Sequence, residues 1–454
     1  MKEFTPEYLE HLRKIIHDRA DTAAREELAD LHPADIAELY QDLDLEEAEY
    51  LFKLLDEEMQ ADVLMELDED DRAKLLSKMD VADIAKQIEH LDTDDAVDII
   101  QELDEDDREK ILSHIDDVEQ AGDIIDLLKY DEDTAGGLMG TEMIVVNENW
   151  SMPECIKQMR MQAEDMDEVY YVYVVDNEDR LRGTLPLKKL ITHPSVSKIR
   201  HVMETDPVAV KADTPIDDVA LDFEKYDLVA MPVIDSIGRL LGRITVDDVM
   251  DKVRDSSERD YQLASGLSGD VESDDKLFAQ TKARLPWLLI GMVGGLCNSV
   301  ILGRFEGGFV VDPALALFIP LIGGTGGNVG TQSSAIVVQG LANGSLDIKK
   351  SSRQLLKELG VGLLNGSIIA LLVFLYNFFT LGAGHEVTTF AVSISIFCVV
   401  MFASVFGTFV PLTLEKLKID PAIATGPFIS ITNDIIGMLI YMSISTWLIV
   451  FFAH

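Results

Sequence analysis

Five apolar stretches in the second half of the chain, residues 285–302, 313–341, 361–381, 387–412 and 421–452, are each long enough to cross about 30 Å of hydrocarbon as a helix. Hydrocarbon offers no partner to a backbone N–H or C=O, so such stretches must wind into helices and pack together. A five-helix transmembrane domain over residues 284–454 is the first expectation. Any polar group lodged inside it calls for a reason.

Asp434 is such a group, the one charge in the last stretch, with Asn433 beside it. An intramembrane carboxylate is costly and commonly marks an ion or proton path. The alternative is a protonated Asp434 making a helix–helix hydrogen bond. The second stretch contains PLIGGTGGNVGTQSS, with five glycines, Asn328 and Gln332. Close helix packing accounts for small residues at four-residue spacing, but not for Asn328 and Gln332 together. The fifth opens DPAIATGPFISITND, where Pro421 and Pro427 free backbone carbonyls. Carbonyls, hydroxyls and a carboxylate are hard oxygen groups, suited to a hydrated divalent cation.

Lys349, Lys350, Arg353 and Lys357 fall in one loop and Lys416 and Lys418 in another, whereas the opposite loops hold little beyond Arg304 and His385. The positive-inside rule then places the N-terminal half in the cytoplasm and the C-terminus outside, in a multi-pass protein of the plasma or inner membrane. From residue 284 onward acidic and basic residues cancel, so residues 1–283 carry the whole formal charge of −44. Such a half repels nucleic acid and attracts cations. Its first residues are too charged for a signal peptide. Cys155, Cys297 and Cys398 match no metal-ligand spacing and are read as reduced packing residues.

Within that acidic half an apolar residue recurs every twelve positions, at Leu31, Leu43, Leu55, Leu67, Met79, Leu91, Leu103 and Ile115, followed by Asp in all but the first case. Each unit, such as LDEDDRAKLLSK, puts Asp at an N-cap and acid in the first turn, and so encodes one short helix. Residues 1–130 are expected to stack these helices into a superhelix. A second duplication pairs MGTEMIVVNENWSMPECI with METDPVAVKADTPIDDVA, and YVYVVDNEDRLRGTLPLKKLI with AMPVIDSIGRLLGRITVDDVM. Each copy reads strand, helix, strand, turn, strand, helix. The pattern resembles a tandem pair of α+β CBS domains, at 138–200 and 201–253. In such domains the residue matching Asp248 contacts an adenosine ribose, which raises ATP as a ligand; the first copy has Lys189 there. A charged connector, 254–283, leads to the membrane.

Acidic helical repeat, two CBS domains, connector, GTGGNVGTQSS and DPA…GPFISITND follow one another in the order of the MgtE family of magnesium channels, which the chain resembles over nearly its whole length. The resemblance implies a multidomain membrane protein. Its parts would be a superhelical N domain, the CBS pair, a long connecting "plug" helix and five membrane helices. It further implies a homodimer whose pore, on the two-fold axis, is lined by the second and fifth spans, with Asn328, Gln332 and Asn433 in the pore motifs. Asp434 matches the pore aspartate. Gly426 and Ser430 match positions one and two turns earlier whose backbone lines the path, and Gly426 stands where some relatives have asparagine. Mg²⁺ is implied both as cargo and as regulator, closing the pore by binding between the domains. Asp62, Asp94 and Asp98 match sensor acids of the repeat, and Asp217, Asp227, Asp248 and Asp251 those of the second CBS domain. Asp420 matches one at the pore mouth. In the connector Asp260 fits the pattern, with Asp255 and Glu258 beside Arg259, which falls where an acid is expected.

Three other readings compete. HEVTT, residues 385–389, begins like a zinc-protease helix but has Thr389 where the second histidine is required, so an enzyme is not expected. A CBS-regulated transporter of Co²⁺ or Mn²⁺ shares the remaining features, whereas a membrane Mg²⁺ sensor that does not conduct is opposed by the polar intramembrane motifs, since a bare anchor would not need Asp434.

Overall fold

The computed structural model describes residues 4–164, 166, 169–194, 197–269, 271, 275–305, 307, 312–343, 345–346, 351–381 and 385–452. Lys349 and Lys350 of the basic loop lie outside them. The chain divides into two units, residues 1–252 and 253–454.

The first unit opens with short helices: α1 (Pro6–His17), α2 (Asp21–Leu28), α3 (Pro33–Gln41), α4 (Leu45–Phe52), α5 (Glu57–Glu66), α6 (Glu69–Leu76), α7 (Val81–Ile88), α8 (Thr93–Glu102), α9 (Glu105–Leu112) and α10 (Val118–Leu127). Helices two apart in sequence pack together, α3 on α5, α5 on α7 and α7 on α9, which makes the expected superhelix. The repeated aspartates act as read: Asp56, Asp68 and Asp80 each accept the third helical N–H at 2.8–2.9 Å. Asp44 completes a capping box with Glu47. Asp92 and Asp104 depart from this and make no capping bond. Between layers, Arg72 is buried, ion-paired with Glu102 and donating to the Leu64 carbonyl at 3.2 Å.

Next comes a sheet in the order β1 (Ile144–Asn147), β2 (Val172–Val175), β3 (Leu181–Leu185), β4 (Glu204–Thr205), with β1 and β2 parallel and the other pairs antiparallel. Helices α11 (Met152–Gln162) and α12 (Leu187–Thr192) accompany it. The second copy gives β5 (Val210–Lys211), α13 (Ile216–Tyr226), β6 (Ala230–Ile234) and β7 (Leu240–Thr245), a sheet ordered β5–β6–β7. The two turns meet: Leu181 N–H donates to the Gly238 carbonyl and Leu240 N–H to that of Asp179, both at 3.0 Å. Helix α14 (Val246–Ser265) runs unbroken from the second copy into the connector. Gly266, at φ +80°, ends it in a backbone conformation that suits glycine.

In the second unit five helices are long and apolar enough to cross a membrane. They are α15 (Leu277–Arg304), α16 (Ile319–Ala342, preceded by a 3₁₀ turn, Pro313–Phe318), α17 (Ser351–Thr380), α18 (Glu386–Lys416) and α19 (Gly426–Phe452). Helix α18 is central, packed on α16, α17 and α19. Leu315, Ile322, Val392, Ile396, Met438 and Tyr441 form the core near one end, where the Tyr441 hydroxyl donates to the Leu315 carbonyl at 2.7 Å. Leu288, Leu296, Leu363 and Leu372 face outward, as lipid contact requires.

Arg72 anchors neighbouring layers of the superhelix, so Arg72→Ala takes from Glu102 the guanidinium that both its oxygens meet. A loss of about 3 kcal/mol is expected, seen as faster amide exchange in α6 to α9 of the intact chain. Exchange unchanged there would mean that the layers are held by apolar contacts alone.

Candidate metal centres

Two candidate centres stand out, a lone carboxylate in the membrane unit and a group of carboxylates in the first unit. In the membrane unit, α19 carries Gly426, Ser430 and Asp434 one turn apart, so all three share a face. Opposite lies the glycine motif of α16. A Cβ on Gly327 would stand 2.9 Å from Ser430 Oγ and 3.4 Å from Asp434 Oδ1, and one on Gly323 3.6 Å from Asp434 Oδ1. These glycines clear the ground around the carboxylate, which stays half-buried. Asn433 behaves differently. It is buried against Gly330, whose added Cβ would fall 1.8 Å from its Nδ2, so it packs between helices rather than on the Asp434 face. Asn328 and Gln332 sit one turn apart on an exposed face of α16.

At the start of α19, Asp420 caps the 3₁₀ turn Pro421–Ala424 by accepting from Ala422 N–H at 2.8 Å. The end of the connector lies against this region. Gly426, at φ +51°, has room for no side chain, because a Cβ would stand 2.0 Å from the Ala264 carbonyl oxygen. A Cβ on Gly266 would likewise meet Pro427 at 2.5 Å. Glycine at 426 is thus what this backbone approach requires. Asp255 and Glu258 are exposed on α14, Asp255 within 3.8 Å of Arg254, and Asp260 is half-buried.

In the first unit, carboxylate oxygens of Asp92, Asp94 and Glu142 all lie within 4.8 Å of one another, a group able to hold a metal ion. Asp92, freed from capping, receives Arg243 Nη2 at 3.0 Å. Glu142 accepts from Thr93 N–H at 3.0 Å and from Thr93 Oγ1 at 3.1 Å, tying the CBS segment to the start of α8. Gly140 leaves the space: a Cβ there would stand 2.9 Å from Asp94 Oδ2 and 3.0 Å from Glu142 Oε2. Asp248 accepts from the Thr245 N–H and hydroxyl.

Burial, and then the charges of Asp248, Asp95 and Glu142, push the Asp94 carboxyl well above its usual range. Burial and Asp248 raise Asp95 to about 7. Asp248 and Glu142 are also raised, chiefly by burial. Arg243 is pushed up despite its burial, by Asp94, Asp92 and Glu142. One guanidinium among these acids leaves a negative surplus, which a divalent cation neutralises.

Of the sensor acids read from the sequence, Asp94 and Asp248 meet in this cluster, and Asp98 adjoins it, 3.8 Å from Lys252. Asp62 lies exposed on α5, Asp217 in the first turn of α13, Asp227 at its left-handed C-cap and Asp251 on α14. Sequence reasoning missed Asp92, Asp95, Glu142 and Arg243. Asp92 was hidden as one more repeat cap, and Glu142 carries no local pattern. Lys189, where a nucleotide-binding aspartate is expected, pairs with Glu204 at 3.1 Å.

A carboxyl whose folded pKa is raised contributes stability at low pH that is lost as pH climbs through the folded value, here about 7 for Asp95. In chelator, the unfolding midpoint of the first unit in the intact protein is expected to rise as pH falls from 8 to 6. Saturating Mg²⁺ should raise it most at pH 8 and flatten the profile. A metal-free midpoint that falls over this interval would contradict the cluster.

Residues 319–444 match the family model of the MgtE divalent cation transporter, residues 31–133 that of the MgtE intracellular N domain, and residues 135–195 and 199–255 that of the CBS domain. The magnesium transporter MgtE of Thermus thermophilus is 35% identical over 71% of this chain and 72% of its own. That of Enterococcus faecalis is 33% identical over 74% and 73%. Among solved structures, the cytosolic domain of the Mg²⁺ channel MgtE in complex with ATP is 32% identical, with a TM-score of 0.51 over 54% of this chain and 99% of that one. The soluble part of a magnesium transporter gives 31% identity and a TM-score of 0.50 over 55% and 98%. The chain carries every part of that architecture in order, and it belongs to the MgtE family of divalent cation transporters.

Proposed function

We propose that this transporter, which is not an enzyme, is a Mg²⁺-selective channel for influx, closed by cytosolic Mg²⁺ at its acidic domains. The observation that carries the reading is Asp434, an intramembrane carboxylate facing glycines that clear space beside it, in line with Ser430 and Gly426. Relatives named as magnesium transporters favour Mg²⁺ as the cargo. In a homodimer with the pore on its axis, two Asp434 side chains would face one path. They would hold a Mg²⁺ that keeps much of its water, since this ion dehydrates reluctantly. With the N-terminal half in the cytoplasm and the C-terminus outside, the membrane potential drives entry, at about 2.3 kcal/mol per charge per 100 mV.

For gating, the carboxylates of Asp92, Asp94 and Glu142 repel until a cation joins them, and Asp94 and Glu142 come from different domains. A ligand shifts an equilibrium only by binding one state better, and an ion bridging domains binds the closed arrangement better. Asp62, Asp98, Asp217, Asp227, Asp251, Asp255, Glu258, Asp260 and Asp420 are the further regulatory ligands of this reading. The unbroken α14 would carry the change to Gly426 and Pro427. ATP at the CBS pair would draw on Asp248 too, so nucleotide and cation would compete or cooperate there.

In proteoliposomes, Asp434→Ala should abolish Mg²⁺ flux while the protein folds, and Asp434→Asn should alter conductance or selectivity over Co²⁺ and Mn²⁺. Normal flux in the alanine variant returns Asp434 to a packing role. Neutralising Asp94, Asp98, Asp248 and Asp251 together should keep the channel open at Mg²⁺ levels that close the parent. Closure at the parent midpoint would reduce the acid to a solvated surface.

A further inference from the structure

Among the described residues, Glu358, two turns into a membrane helix, is a buried carboxyl without a role so far. Glu358, on α17, is 6% exposed although most of that helix faces outward. It begins a stripe, Glu358, Gly362, Gly366, at four-residue spacing. A Cβ on Gly362 would stand 3.0 Å from Ser404, and one on Gly366 3.2 Å from the Phe397 ring, so the stripe seats α17 on α18. Glu358 reaches α16 instead: Ser333 Oγ, itself buried, donates to its Oε1 at 2.6 Å. Packing alone does not call for a carboxyl there, since an apolar residue fills such a place at lower cost.

Helix α16 is the helix against which Asp434 lies; Ile322 and Val337 pack its two ends, but between them the face from Gly323 to Gly330 that meets α18 and α19 is smooth. Gly327 faces Ser430, and Gly330 meets Gly407 so closely that a Cβ on Gly407 would fall 2.3 Å from the Gly330 carbonyl oxygen. Glycine faces allow close approach but offer no side-chain knobs to set rotation about the axis. A turn of about 20° moves a Cα by about 0.8 Å, more than the tolerance of about 0.5 Å for a preorganised site. Ser333, three residues beyond Gly330, supplies a directional bond.

We propose that Glu358 is a positioning residue for the pore: by accepting from Ser333 it fixes the rotation of α16, and so the face that α16 presents to Asp434. The functional part of this rests on the channel reading above; the rotational part does not. Two measurements separate them. In a background with Cys155, Cys297 and Cys398 replaced by serine, Gly327→Cys with Ser430→Cys places two thiols near disulfide geometry. Oxidation of that pair should slow about tenfold with Glu358→Ala or Ser333→Ala, the worth of a hydrogen bond to a carboxylate. Glu358→Gln, which can still accept, should restore it, and the double alanine variant should be no slower than either single one. Mg²⁺ flux without the engineered cysteines should follow the same order, while the Mg²⁺ level that raises the unfolding midpoint of the first unit stays put. Parent-like oxidation in Glu358→Ala, or a glutamine variant as impaired as the alanine one, overturns the proposal. A parent without Mg²⁺ flux overturns the channel reading, and the oxidation rates still decide the rotation.

Discussion

The membrane half depends on α16 lacking side chains where its neighbours touch it. Gly323 and Gly327 face Asp434 and Ser430, and Gly330 lies between Gly407 and Asn433. Any Cβ at Gly330 would run into the Asn433 amide, and any at Gly407 into the α16 backbone. Because these surfaces are bare, α16, α18 and α19 come together at backbone distance, and polar groups are enclosed by protein instead of facing lipid. A carboxylate can persist in a bilayer only in such surroundings. The glycines therefore create both the space beside Asp434 and the problem of holding a smooth helix in place.

The cytoplasmic half rests on the opposite principle. There the chain accumulates charge, and the geometry makes the accumulation unfavourable by design of position. Two carboxylates at 4.8 Å repel by about 3 kcal/mol at an effective dielectric near 20, less where water screens them. Arg243 offsets part of this through Asp92. Burial first, and mutual repulsion after it, displace the Asp94, Asp95 and Glu142 carboxyls upward, and burial raises Asp248 as well. Protons and divalent cations are the two agents that relieve the repulsion.

Much of this was legible because it follows from periodicity. A twelve-residue repeat with Asp at fixed phase can only be capped short helices, and uninterrupted apolar runs can only be spans. Asp434 stood out because a lone charge among apolar residues needs no partner in sequence to be noticed. Contacts between distant segments were not legible. Glu142 acquires its meaning from Thr93 and Asp94, about fifty residues earlier. Asp92 looks like its sibling caps until Arg243, more than a hundred residues on, draws its side chain away. Glu358 sits in a charged stretch at a helix start and reads as a solvated end, whereas the fold buries it on Ser333.

The two centres also differ in what they ask of one ion. Around Asp434 the oxygens are few and come from hydroxyl, backbone and a single carboxylate per chain, so in the proposed channel an ion that keeps its water would be held weakly enough to leave. In the first unit three carboxylates converge within 4.8 Å, a charge count that favours residence over passage. An ion that lingers at one site and passes through the other can report its own concentration. On the proposed gating, the site of residence would have to straddle parts that move, and a cluster drawing Asp94 from the helical repeat and Glu142 from the CBS segment would meet that condition, whereas one contained in a single helix would not.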